Sequence, residues 1–284
     1  MELDVIVVTH QSAAALERCF AGLAVFDRSR FIVVDNASSD GSAEVAREHG
    51  ARVLVQARNL GFGRAANIGA GASTALYLCF LNPDCLPTPE LFKAALDRLR
   101  AEPTQCLSPN LLEPGGCIVS GRQPGYSVVK LLHDVLITNY RPGRLADTLR
   151  RAPGFHVARW YWPHGACFFI ARERFLKLGG FDARYFLYME DVDFGRRLYE
   201  AGGSIVALDH RLHHQARHGA HVPNLYRLWH LNIARVRYAA HHHGGLVALT
   251  AAALAVPGFL AQVAKNTLRY SGLRLPIAWF EGTE

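Results

Sequence analysis

The sequence predicts an α/β protein built on a doubly wound, mostly parallel sheet. Three observations carry that expectation. Short branched apolar runs alternate with helical patterns through the first hundred residues, polar residues stand at the ends of those runs, and glycines punctuate the connections. Of the 284 residues, 50% are hydrophobic and 19% charged, which excludes a disordered chain. The length suits one α/β domain with an extension better than two full domains.

Val5 to Val8 opens the pattern as a buried strand, and Ser12 stands where it can cap a helix carrying Leu16 and Phe20. Phe31 to Val34 is the second strand. Asp40 begins a helix with Val45 and Ala46, and Val53 to Val55 is the third strand. Ala75 to Leu81 is the fourth. Thr88-Pro89-Glu90 then combines an N-cap, a proline at the first helical position and an acid in the first turn. Glycine, proline and arginine loosen the pattern from Glu113 to Arg151, which predicts loops and short helices. Ala166 to Ala171 and Ser204 to Leu208 restore strand character. A histidine-rich segment, His210 to His243, precedes Leu246 to Ala264, which carries no charge.

The six cysteines are scattered without a CxxC pair, so no disulfide or zinc framework is expected. Met1-Glu2-Leu3-Asp4 leads straight into the first strand, without the basic start and long apolar stretch of a signal peptide. Both features point to a cytosolic protein. The net charge of +7 suits an anionic partner. Nucleic acid is not the expected one, because the basic residues are dispersed and no binding motif appears.

In a doubly wound sheet, ligands bind beyond the carboxyl ends of the strands. Thr9 and His10, Asp35 and Asn36, Asn59, then Asn82 and Asp84 all lie there. Gly61-Phe62-Gly63-Arg64-Ala65-Ala66 matches a dinucleotide fingerprint, which keeps an oxidoreductase as a rival reading. Against it, the glycines follow the third strand, while the first turn, Thr9 to Ser12, has none.

The motifs read together resemble a known family. Asp35-Asn36-Ala37-Ser38-Ser39-Asp40-Gly41-Ser42, Asn59-Leu60-Gly61-Phe62-Gly63-Arg64-Ala65-Ala66-Asn67, Asn82-Pro83-Asp84, Gly165-Ala166, Phe181-Asp182 and Tyr188-Met189-Glu190-Asp191-Val192-Asp193 occur in order and at family spacing. The chain is identified by them as similar to the inverting glycosyltransferases of family two, in the rhamnosyltransferase-like branch that builds bacterial polysaccharides and cell-wall linkers. The resemblance implies a GT-A fold, with a nucleotide-binding N-terminal half and an acceptor-binding C-terminal half. It implies a catalytic domain over residues 1–243 and an apolar helical extension over 244–284.

It also implies roles. Asp84 would hold a divalent cation, magnesium or manganese, against the donor's diphosphate. Neutral Asn82 replaces the first acid of the usual Asp-x-Asp, a departure shared by the branch. Thr9, His10, Asp35, Asn36, Asn59 and Asn82 would line the nucleotide-sugar pocket, with Arg64 and Asn67 on the following helix. Asp191 would take the proton of the acceptor hydroxyl, with Glu190 beside it and Asp193 and Gly165 toward the acceptor. A metal-binding histidine follows the strand after the catalytic helix. His213 fits best, then His214, then His218, whereas His241 to His243 read as solvated. The donor expected is dTDP-rhamnose, with UDP-sugars open, and the acceptor a saccharide, free or lipid-linked. Apart from the resemblance, the apolar run followed by Lys265, Arg269 and Arg274 suits helices lying on a membrane's cytosolic face, with a buried core or dimer helix as the alternative.

Overall fold

The computed structural model describes residues 2–23, 30–140, 155, 159–215 and 224–271. The alternating half contains β1 (Leu3–Thr9), α1 (Ala13–Ala21), β2 (Phe31–Asp35), α2 (Ser42–Glu48), β3 (Arg52–Val55), α3 (Phe62–Ala72) and β4 (Tyr77–Leu81). Then come β5 (Cys85–Leu86), α4 (Pro89–Ala101), β6 (Gln105–Leu112), β7 (Ile118–Val119), β8 (Arg122–Pro124) and α5 (Val128–Tyr140). The chain continues through β9 (Tyr161–Pro163), β10 (Cys167–Ala171), α6 (Arg172–Lys177), α7 (Glu190–Glu200), β11 (Ser204–His214), α8 (Asn224–His242) and α9 (Gly245–Ser271).

Among the described residues one sheet runs β3-β2-β1-β4-β10-β6-β11-β5, with β7 on the edge of β6. β1 is parallel to β2 and β4, and β6 to β11. β10 is antiparallel to both β4 and β6, so the sheet is mixed rather than wholly parallel. Strand alternation divides the core. Val5 and Val7 face Leu16, Phe20, Phe92 and Leu99 on one side; Ile6 faces Ala66, Ala70 and the Phe168, Phe175, Phe181 and Phe194 cluster on the other.

Several local expectations change in the structure. Thr88 caps α4 as expected, accepting from the Leu91 N–H. Ser12 does not cap α1 with its hydroxyl, which donates instead to the His10 carbonyl. The first N–H of α1, on Ala13, is taken by Asp40 Oδ2 at 2.9 Å. Asp40 also accepts from Ser42, so one carboxylate serves two helix starts. Between Glu113 and Arg151 the structure holds a 13-residue helix, α5, longer than the pattern suggested. β11 runs past Leu208 to His214 through an irregularity between Leu208 and Arg211.

The chain forms two compact units, one of residues 1–125, 160–186 and 190–221, the other of 126–159, 187–189 and 222–284. Inside the second unit α5 packs with α8 and α9.

Candidate active site

Thr9 and Asp35 end β1 and β2 side by side in parallel register, and both are buried. Thr9 Oγ1 and Asp35 Oδ1 have no hydrogen-bond partner, although Asp35 Oδ2 accepts from the Ser38 N–H. A buried acceptor left open this way is costly unless a ligand completes it.

Asn36 is used differently. Its amide donates to Asn59 Oδ1 at 2.9 Å and to the Gly61 carbonyl at 3.2 Å, and its Oδ1 accepts from the Leu60 N–H. His10 Nδ1 lies 3.0 Å from the Asn36 carbonyl. Asn36 and Asn59 therefore tie the second strand end to the glycine loop, with the Asn36 amide and Asn59 Oδ1 engaged by protein.

That loop is packed against protein backbone at its first glycine. Gly61 has φ +83° and a Cβ there would lie 2.1 Å from the Phe186 carbonyl oxygen. Phe62 N–H donates to the same carbonyl. A Cβ on Gly63 would be 3.1 Å from Phe181 and 3.6 Å from Glu190. The glycines bring backbone against the segment that leads to the acidic motif, which gives Gly61 and Gly63 a packing role independent of the oxidoreductase reading. Arg64 and Asn67 serve the same segment: Arg64 Nε donates to the Ala183 carbonyl, and Asn67 clamps both backbone groups of Phe181.

α7 begins with Glu190 and Asp191. Tyr188 and Met189 before it have φ of +69° and +68°, a left-handed pair rare for non-glycine residues. Glu190 is buried, and its Oε2 has no hydrogen-bond partner. Asp191 is partly exposed; Oδ1 accepts from the Val192 N–H at 2.8 Å and Oδ2 from the Gly165 N–H at 3.2 Å. Burial raises both carboxyls, Glu190 to about 8 with help from the Asp191 charge, and Asp191 to about 6 against the pull of its backbone donors. A Cβ on Gly165 would fall 2.9 Å from Asp191 Oδ2, so that position admits little beyond glycine. Asp193, expected toward the acceptor, is fully buried and paired with Arg197 Nε at 2.7 Å. Arg197 in turn donates to the Leu178 and Gly180 carbonyls. Asp193 is thus engaged by protein in this structure rather than facing open space, unlike the acceptor-side position expected for it.

The cation expectation falls on Asp84. Asn82 N–H donates to the Ala166 carbonyl, which joins the end of β4 to the Gly165 loop. β5 follows Asp84 at once and pairs His214 with Cys85, so the end of β11 is carried to Asp84. His214 Nε2 is 3.5 Å from Asp84 Oδ1, an otherwise unpartnered buried oxygen. His213 points the other way and is exposed, since successive residues on a strand alternate faces. Of the histidines the resemblance offered, His214, its second choice, and not His213 lies beside Asp84; His218 and Arg274 lie outside the described residues. The orphaned Asp84 oxygen facing an imidazole nitrogen fits one shared cation, with one hard and one borderline ligand.

Sequence reasoning missed two residues here. Glu113 Oε1 lies 2.7 Å from His214 Nδ1. Burial opposes a charge on His214, but Asp84 and Glu113 outweigh it and raise its pKa to about 8. His164 stands with its ring 6.0 Å from that of His214, and its Nδ1 accepts from the Ala166 N–H. Burial and the His214 charge push His164 down to about 4, so it is a neutral donor through Nε2–H. The adjacency of His164 to Gly165 was a usable signal; Glu113, in a loosened stretch, offered none.

Comparison with known proteins bears on the same residues. A family model described as Glycosyl transferase family 2 matches residues 4–193. The chain belongs to glycosyl transferase family 2. This glycosyltransferase is 32% identical over 270 residues, 85% of each chain, to the N-acetylglucosaminyl-diphospho-decaprenol L-rhamnosyltransferase of Mycobacterium tuberculosis (strain CDC 1551 / Oshkosh), and equally to that of strain ATCC 25618 / H37Rv. Its GT-A fold is shared with a mannosyltransferase, PcManGT from Pyrobaculum calidifontis, solved with GDP-Man and Mn2+, at 18% identity and TM-score 0.56 over 97% of this chain and 76% of that one. GalNAc-T7, solved with UDP, GalNAc and Mn2+, matches at 15% identity and TM-score 0.57 over 96% of this chain, which spans 58% of the length of that one.

Proposed function

We propose that this family-two glycosyltransferase is inverting and metal-dependent, and moves L-rhamnose from dTDP-rhamnose to a saccharide on a lipid diphosphate carrier. The reaction would serve polysaccharide or cell-wall synthesis. The observation that carries the reading is the set of buried, unpartnered oxygens on Thr9, Asp35 and Asp84 after successive strands and on Glu190 at the start of α7. A nucleotide sugar supplies hydrogen-bond donors, and a divalent cation bound with its diphosphate supplies the charge, that such acceptors lack. The rhamnosyl and lipid-linked assignments lean on the mycobacterial relative's name. UDP-sugars remain the alternative donor.

Each residue then has a task. Thr9 and Asp35 receive the nucleoside, and Asp84 and His214 hold the cation. When bound, that cation offsets the charge of the diphosphate as it leaves. Asp191, the less buried member of the acidic pair, accepts the hydroxyl proton as the acceptor oxygen bonds to the anomeric carbon. The bond from that carbon to the diphosphate oxygen breaks on the opposite side, which inverts the centre. Glu190, raised by burial and by the Asp191 charge, keeps its proton where Asp191 has lost its own, which leaves Asp191 as the base of the pair.

Membrane contact belongs to the same proposal. Within α9, residues Gly245–Ala264 are long and apolar enough to cross a bilayer, and the helix continues through Pro257. Its alanines Ala248, Ala251 and Ala255 are buried, while Leu246, Leu249, Val256 and Leu260 are exposed. A helix with its large apolar residues outward suits an interfacial position on the cytosolic face of the membrane.

The test is turnover of dTDP-rhamnose against UDP-sugars with a prenyl-diphosphate-linked N-acetylglucosamine acceptor, with anomeric configuration read by NMR. Retention would sink the inverting mechanism. Turnover of UDP-sugars alone would overturn the thymidine assignment.

A further inference from the structure

β6 and β11 run parallel, with His213 opposite Leu112. The next residues, His214 and Glu113, are carried across from one another where both strands end. His214 is buried between two carboxylates: Glu113 Oε1 is 2.7 Å from Nδ1, and Asp84 Oδ1 is 3.5 Å from Nε2. A nitrogen 2.7 Å from a carboxylate oxygen is a well-made charge-assisted hydrogen bond, and carboxylates only accept, so Nδ1 carries the hydrogen. In the neutral ring the lone pair then lies on Nε2, on the Asp84 side. The longer spacing on that side is what two ligand atoms around one ion leave between them.

Neighbouring candidates do not compete for that place. Cys85 is buried with its thiol against the Ala166 carbonyl at 3.5 Å, and a thiol is a poor partner for a hard cation. The ring of His164 turns Nδ1 to the Ala166 N–H, so its own Nε2 bears a hydrogen.

We infer that Glu113 is a positioning residue of the cation site: by accepting the Nδ1–H bond it holds His214 in the tautomer and orientation that present Nε2 to the ion shared with Asp84. This rests on the proposed metal-dependent reading. A second carboxylate behind a ligating imidazole is a recurrent device, and its loss costs about 10–100-fold in metal affinity. Glu113 itself stays outside the coordination sphere, since its bonded oxygen is spent on Nδ1.

Glu113→Gln keeps size and shape but exchanges a carboxylate for an amide that can rotate its NH2 toward Nδ1; Glu113→Asp withdraws the carboxylate by one methylene. Manganese is titrated calorimetrically into wild type, both variants and Asp84→Ala, each saturated with dTDP, with the thermal midpoint of the ion-free proteins measured alongside. The expected result is a manganese Kd raised about 10–100-fold in Glu113→Gln and by a smaller factor in Glu113→Asp, with ion-free dTDP affinity unchanged. Histidine 15N spectra of the magnesium-loaded protein should show the Nδ1–H tautomer of His214 in wild type and its loss in Glu113→Gln. If either folded variant binds manganese as wild type does, Glu113 is not the positioning residue. If wild type and Asp84→Ala bind it equally weakly, the metal-dependent reading fails and takes this inference with it.

Discussion

At the scale of single residues, adjacent carboxyls divide the work by exposure. Asp191 is reachable and anchored by the Gly165 and Val192 N–H groups; Glu190 is buried with one oxygen unpartnered. Asp191→Asn should therefore cut turnover about a hundred- to ten-thousand-fold while leaving donor affinity nearly intact. Steady-state kinetics beside calorimetric donor binding separates the two effects, and near-normal turnover would move the base to Glu190. Gly165→Ala should act on the same carboxylate by displacing Oδ2, lowering kcat more than it raises the donor KM. The pair also predicts a pH signature. Both native pKa values lie above the ordinary 3.8 and 4.5, so the folded protein holds these protons more tightly than the unfolded chain does. The stabilisation is full below the ordinary values and is lost as pH rises through about 6 and then about 8. Thermal midpoints should fall across that window while turnover rises, and Glu190→Gln should flatten the thermal slope. An unchanged slope in that variant would remove Glu190 as a titrating group.

At the scale of elements, the entry to α3 and the end of β11 are decisive. Gly61 holds φ +83° and ψ 167°, a region open essentially to glycine, with the Phe186 carbonyl against it. Gly61→Ala should destabilise by at least about 1–3 kcal/mol, seen as a lower urea midpoint, and should weaken turnover by shifting the segment before Glu190. A wild-type midpoint would show that the loop can yield without cost. In the second unit, α9 packs its alanines inward, so deleting it would expose α5 and α8. Substitution of its outer face is the cleaner test of membrane contact. Leu249→Glu with Leu260→Glu should keep the far-ultraviolet spectrum and reduce co-sedimentation with anionic liposomes; undiminished binding would place the contact elsewhere.

At the scale of the whole molecule, a GT-A glycosyltransferase should be stabilised by nucleotide diphosphate together with manganese more than by either alone. A thermal-shift panel with dTDP, UDP and chelator checks this, and equal shifts with and without manganese would argue against a shared cation at Asp84. Much of this protein was legible in its sequence. The alternating strands and the strand-end polar residues follow from local patterns, because burial on both faces selects branched apolar runs and turns select glycine and asparagine; Asp84 and the Glu190-Asp191 pair were singled out by the family resemblance. Asp193, Asn67 and Asn36 looked equally suited to ligand contact. The Asp193 carboxylate instead meets Arg197 one turn on in the same helix, an i,i+4 pairing the spacing did offer, while the Asn67 and Asn36 amides meet backbone groups distant in sequence, which no local spacing encodes. His213 and His214 are adjacent and identical in type, and only strand alternation fixes which one turns inward. Glu113 carried no motif at all; it reaches His214 because two parallel strands, nearly a hundred residues apart in the chain, end together. Sequence determines the periodicity and the chemistry available at each position, whereas the register between distant strands decides which of those groups meet.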